Sequence, residues 1–164
     1  MQDFSFSSVK TVINGLGSCR RQLGSSARQL GITRALIVTD NGIVNSGLIE
    51  PALASLTEAG ISSVVYTDVV ADPPESVVEQ SLAFAKEQGI DGVIGLGGGS
   101  SLDVAKVIAL LTHSSQTLQQ VYGVGNAQGT RLPLIQIPTT AGTGSEVTPI
   151  AIITTGETTK QGIV

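Results

Sequence analysis

The segment Gly92-Val93-Ile94-Gly95-Leu96-Gly97-Gly98-Gly99-Ser100-Ser101-Leu102-Asp103-Val104-Ala105-Lys106 restricts the fold of this chain more than any other stretch. Its first residues are a short apolar run of the kind that forms a buried strand. The apolar residues after it, Val104 to Leu111, suit a mostly buried helix. Between them, glycines without a Cβ let the backbone approach a ligand closely. The unpaired N–H groups and the dipole of the following helix start then favour an anion. The pattern departs from the usual dinucleotide fingerprint, because Ser100 stands where a third Gly or Ala belongs. It is not a phosphate-binding P-loop, since no Gly-Lys-Ser/Thr follows. Taken alone, it is also compatible with a ligand-free strand-to-helix turn.

The rest of the chain alternates in the same manner. Residues 34–39, 62–67, 92–96 and 133–137 predict strands, and 17–30, 47–59, 75–88 and 101–112 predict helices. Pro51 falls in the first turn of its helix, where it is tolerated, and Gly60 and Gly89 stop two of the helices. Residues 147–154 predict a last extended run in which Pro149 marks an edge strand or a bulge. Residues 4–13 are weakly strand-like, and 113–131 are the least regular part. Alternation of this kind predicts an α/β fold: a doubly wound, mainly parallel, Rossmann-like sheet with helices on both faces.

At 164 residues the chain fits one domain with a real core. Charged residues make up only 13% and the mean hydropathy is +0.29, which suits a sheet covered on both faces. The net charge is -4 and no basic run exceeds Arg20-Arg21, so nucleic-acid binding through a basic patch is not expected. Cys19 is the only cysteine, which excludes an internal disulfide and a cysteine-based zinc cluster. The first residues lack a basic and apolar leader pattern, and no apolar run approaches the ~18 residues of a membrane span. These features predict a soluble, cytoplasmic protein.

Ligands of open α/β sheets bind at the carboxyl ends of the strands, and three polar joints fall at such ends. Asp40 follows the first strand. It could accept hydrogen bonds from ribose hydroxyls and repel a 2′-phosphate, favouring NAD over NADP. A turn aspartate before Asn41-Gly42 explains it equally well. At the glycine joint, Ser100 or Ser101 is placed to cap the next helix, with Asp103 in its first turn. Asp103 would be awkward beside a diphosphate and suits a neutral ligand group such as an amide. Lys106 either snorkels to solvent or points at the site. The third joint, Pro138 to Thr148, holds five hydroxyls, two glycines and one carboxylate in eleven residues.

Gly97-Gly98-Gly99-Ser100-x-x-Asp103-x-Ala105-Lys106 and Pro138-Thr139-Thr140-Ala141-Gly142-Thr143-Gly144-Ser145-Glu146 resemble the two signature blocks of the iron-containing (group III) alcohol dehydrogenase family. Thr39-Asp40 with Gly47-Leu48, and Asp72-Pro73, match in order and spacing, so the likeness covers nearly the whole chain. The resemblance implies that residues 1–164 are the N-terminal NAD(P)-binding domain of a two-domain dehydrogenase. By matching positions it implies cofactor contacts from Gly97, Gly98, Gly99, Ser100, Asp103, Thr139, Thr140, Thr143 and Thr148. Asp40 would meet the adenosine ribose, and Lys160 would be the family's cofactor-contacting lysine.

The same resemblance implies hydride transfer between a small alcohol or aldehyde and the nicotinamide. The reaction occurs on a divalent metal, iron or zinc, held by an Asp and several His in a following helical domain. This chain has one histidine, His113, at a predicted helix end where capping is its expected role, and Cys19 reads as a small helix residue. The segment is therefore expected to bind cofactor without catalysing the reaction alone, and to self-associate through an apolar face. A glycerol dehydrogenase or a dehydroquinate-synthase-like relative, and a stand-alone nucleotide-binding module, are the other readings. The Pro138–Glu146 block favours the iron-type branch.

Overall fold

The computed structural model describes residues 8–156 and 158–164. Helix α1 (Ser18–Gln29) precedes strand β1 (Arg34–Val38), the short helix α2 (Asn41–Asn45), helix α3 (Glu50–Glu58) and strand β2 (Ser62–Tyr66). Helix α4 (Glu75–Gln88), strand β3 (Gly92–Gly97), helix α5 (Gly99–Leu111) and strand β4 (Leu134–Pro138) follow. A hairpin of β5 (Ala151–Thr155) and β6 (Thr159–Ile163) ends the described chain. Strands β1 to β4 form one parallel sheet in the order β2-β1-β3-β4.

That order follows from side-chain chemistry and crossover hand. Successive strand residues face opposite ways, and β1 is apolar at every position from Ala35 to Val38, as a strand covered on both sides must be. Leu36 and Val38 join Val78, Ala85, Val104 and Ile108 in one core layer. Ala35 and Ile37 join Leu23, Ala27, Ala52 and Leu56 in the other. Chain travel reverses after β2, because β3 returns to the far side of β1. With right-handed crossovers throughout, the helices before and after that reversal must lie on opposite faces. They do: α1 and α3 cover one face, α4 and α5 the other.

Several details differ from the sequence expectations. The expected helix over 47–59 begins only at Glu50, and a separate short helix, α2, stands ahead of it because the Asp40 side chain accepts from Ile43 N and caps it. The extended run at 147–154 is displaced. Pro149 lies before β5, and β5 pairs antiparallel with β6 outside the parallel sheet. Strand β6, Thr-Lys-Gln-Gly-Ile, has no alternating apolar pattern to announce it. Its place is set by β5 and by Gly123, whose N–H donates to Gly162 O at 2.8 Å. Of the weakly strand-like 4–13, residues 4–7 lie outside the described part, and 8–13 form no strand. Residues 113–131 are irregular as expected, yet Leu118 and Val121 are buried. Among the described residues no helix is long and apolar enough to cross a membrane.

Candidate cofactor site

The reversal of strand order opens a crevice between the carboxyl ends of β1 and β3, the position where doubly wound sheets take their ligands. A cleft of about 540 Å³ lies there, lined by Asp40 and Gly42 after β1, Val70 and Ala71 after β2, and Gly98 to Ser101 after β3. Its size suits a small-molecule or cofactor site.

Gly97 makes the sharp departure from β3. Its φ of 146° lies in the region that side chains avoid, and a Cβ there would stand 2.8 Å from Ser101 Oγ and 3.4 Å from Asp40 Oδ2. The helix then starts earlier than expected. Its N-cap is Gly98, and no side chain caps it. The expectation that Ser100 or Ser101 caps this helix is therefore corrected: both lie inside the first turn, because Gly98 holds the extended N-cap conformation and Gly99 is already helical. The first-turn N–H groups consequently have no side-chain acceptor. An uncapped helix start next to a cleft is a ready anion site.

The third joint folds over this turn. Thr139 N–H donates to Gly97 O at 2.9 Å, continuing the β3–β4 ladder past the strand ends. A Cβ on Gly98 would lie 3.5 Å from Thr140 Oγ1, and one on Gly99 would lie 3.3 Å from Thr143 Cγ2 and 3.4 Å from Ser145 Oγ. The hydroxyl-bearing loop thus packs directly against the glycine turn, most tightly at Gly99. Asp40, Gly97 to Ser100, Thr139, Thr140 and Thr143 converge on one end of the sheet. Thr148 is exposed further along the loop, its N–H donating to Gly144 O at 3.1 Å.

Two of the implied contacts, Asp103 and Lys160, have partners within the protein. Asp103 is 7% exposed, and its two oxygens accept from Lys106 Nζ at 3.2 Å and Ile152 N at 3.0 Å. Lys106 therefore neither snorkels nor points into the cleft; it turns back onto Asp103 and the Ile150 carbonyl. Lys160 on β6 is exposed and pairs with Asp72 at 2.5 Å. Asp72 holds a left-handed φ of 49° in the turn before α4.

The segment Val69 to Ala71 was not anticipated as part of the cleft. It follows the end of β2, so the strand-end rule alone would have found it, but its apolar residues carry no ligand-binding signal. Ser145, buried beside Gly99, was likewise passed over among the loop's other hydroxyls.

Among the described residues no three His, Cys, Asp or Glu side chains converge, and His113 is exposed just beyond α5, so these residues do not fit a divalent metal. Cys19 is half-buried, and burial pushes its thiol pKa up, away from a reactive thiolate.

Known proteins share this sequence pattern and this fold. The family model described as iron-containing alcohol dehydrogenase matches residues 10–164. A choline dehydrogenase of Bacillus subtilis (strain 168) is 40% identical over 161 residues, covering 96% of this chain and 40% of the relative. The crystal structure of a 1,3-propanediol oxidoreductase superposes with a TM-score of 0.93 at 30% identity, over 99% of this chain and 43% of that one. The sulfoacetaldehyde reductase of Bifidobacterium kashiwanohense, solved in complex with NAD+, superposes with a TM-score of 0.86 at 27% identity, over 100% of this chain and 43% of its own. The chain thus spans about 40% of the length of the curated relative, aligned to it through both glycine- and hydroxyl-rich blocks. With its strand-end crevice, its uncapped glycine turn and a family match over nearly all its residues, the chain belongs to the iron-containing alcohol dehydrogenase family.

Proposed function

We propose that residues 1–164 are a dinucleotide-binding domain that takes NAD(H) in the crevice between β1 and β3. It would serve an oxidoreductase that moves hydride between a small alcohol or aldehyde and the nicotinamide ring. The observation that carries this reading is the start of α5. Its N–H groups lack a side-chain cap, three glycines keep the approach clear, and the Thr140 hydroxyl and the Thr143 side chain lie alongside. Such a turn accepts a diphosphate through backbone amides. Asp40, at the tip of β1, accepts from the ribose hydroxyls and opposes a 2′-phosphate, so NAD is preferred to NADP. The NAD+ complex of a structural neighbour supports the choice of cofactor.

When bound, the nicotinamide supplies the hydride chemistry. The residues of this chain bind the diphosphate, fix the ribose and keep the coenzyme in register with the sheet. Iron or zinc, and the ligands that hold it, belong to the rest of the enzyme in this proposal, so the 164 residues alone are not catalytic. The reading also includes self-association as a homo-oligomer and a cytoplasmic setting.

Titrating NADH into the chain and following its fluorescence tests the proposal. Saturable binding that is weakened by Gly97→Ala is the expected result, with no alcohol oxidation even with added iron or zinc. An unchanged NADH signal, or turnover by this chain alone, overturns it.

A further inference from the structure

The β5 strand has two edges. One pairs with β6, and the other meets α5. Backbone groups alternate sides along a strand, so Ile150 and Ile152, two apart, present a carbonyl and an N–H on the same edge. Both are taken by side chains of one helix. Lys106 Nζ donates to Ile150 O at 2.6 Å, and Asp103 Oδ2 accepts from Ile152 N at 3.0 Å. Lys106 also donates to Asp103 Oδ1 at 3.2 Å, and the two side chains are only 12% and 10% exposed. A carboxylate and an ammonium, three residues apart on α5, thus fill the start of an edge whose later part meets backbone, where Thr154 N–H donates to Pro73 O at 3.0 Å. A buried ion pair of this sort holds only where its remaining oxygens and protons find partners. Here both carboxylate oxygens are used, and a backbone carbonyl takes a further ammonium proton.

The location gives this arrangement a consequence. The loop from Thr139 to Ile150 is fixed at its upstream end by Thr139 N–H on Gly97 O, and at its downstream end by Lys106 on Ile150 O. Both anchors belong to the same strand–turn–helix unit, one at the glycine turn and the other about two turns along α5. Between them, Thr140, Thr143 and Ser145 are held against Gly98 and Gly99. We propose that Asp103 and Lys106 form a clasp that positions the 139–150 loop over the glycine turn, making Lys106 a positioning residue for the cofactor. This inference rests on the NAD(H) reading above.

Hydrogen–deuterium exchange on the full chain, with NADH titration in parallel, tests it. In Lys106→Met the amides of Val147, Thr148 and Ile152 should exchange about tenfold faster while β1 and β3 keep their protection, and NADH should bind about tenfold more weakly. Lys106→Gln retains an N–H for Ile150 O, so both effects should shrink to about threefold. Wild-type loop exchange in Lys106→Met overturns the clasp. Faster loop exchange with wild-type NADH affinity overturns its role in positioning. A uniform rise across the sheet overturns it in favour of a general loss of stability. Should Lys106→Met not fold, Lys106→Gln carries the same comparisons. If the unaltered chain binds no NADH, the cofactor reading fails by itself and the exchange comparison still decides the clasp.

Discussion

Asp40 has one role in the fold and a second, proposed role in the cofactor site, and they can be separated. Its Oδ1 accepts from Ile43 N at 3.1 Å, which caps α2, while its Oδ2 lies near the glycine turn. Asparagine caps helices about as well as aspartate. Asp40→Asn should therefore leave the urea unfolding midpoint nearly unchanged while relaxing the preference for NADH over NADPH by roughly tenfold. Asp40→Ala should relax it similarly and cost about 1 kcal/mol through the lost cap. Fluorescence titrations with both coenzymes, beside urea melts, read the two effects. Unchanged selectivity in either variant removes Asp40 from the ribose. At Gly97, alanine must adopt a φ of 146° with its Cβ 2.8 Å from Ser101 Oγ. That variant should lose roughly 1–3 kcal/mol of stability and most of its NADH binding, measured in the same two ways. Of these side-chain facts, the sequence offered Asp40 as a turn residue or a ribose ligand without ranking them. The structure shows that the capping role is real and leaves the second oxygen near the cleft.

Between elements, α1 and α3 approach each other closely at Gly24. Gly24 N–H donates to Ser55 Oγ at 3.0 Å, and a Cβ on Gly24 would lie 2.3 Å from Ser55 O and 2.6 Å from Ala59 Cβ. Because the first of these is backbone, the helices must separate to admit a methyl group. Gly24→Ala should lower stability by about 1–3 kcal/mol in urea unfolding, with NADH affinity in the folded fraction unchanged, since this contact lies on the face away from α5. At the amino ends of the strands, Asp91 ties β3 to β1. It accepts from the N–H groups of Thr33 and Arg34, at 3.0 and 2.8 Å, and from the Thr33 hydroxyl. Burial pushes its pKa up, but those hydrogen bonds together outweigh burial and hold the carboxyl below its usual value. The folded state therefore binds this proton less readily than the unfolded chain does. Its stabilisation is present above the ordinary carboxylate range near 4 and is lost as pH falls through the lowered folded value. Asp91→Asn should cost about 1–2 kcal/mol at pH 7, with the gap to wild type closing below about pH 4 in urea melts at stepped pH. The helices and parallel strands were legible because β1 and β3 are short apolar runs and Gly60 and Gly89 punctuate the helices between them. Helix α2 and strand β6 were not. One has five residues and depends on a cap, and the other is polar and exists through pairing with β5.

Across the whole molecule, the surface retains large apolar side chains. Leu16 is 98% exposed, Val124 82% and Val12 70%. The self-association included in the proposed function predicts that light scattering at high concentration returns a mass above the 16.7 kDa of one chain. A clean monomer would count against self-association. What the amino-acid order determined by itself was whatever depends on near neighbours: the apolar strands, the glycine stops, the strand–glycine–helix turn and the two blocks that mark the family. Those are short-range consequences of backbone freedom and side-chain polarity. The tertiary structure alone decided which side chains meet. Asp103 and Lys106 read as candidates for a ligand, and it is the fold that brings Ile150 O and Ile152 N, more than forty residues later, onto their polar atoms. A carboxylate and an ammonium bond to whatever polar groups the folded chain brings within reach, and sequence spacing does not encode that encounter.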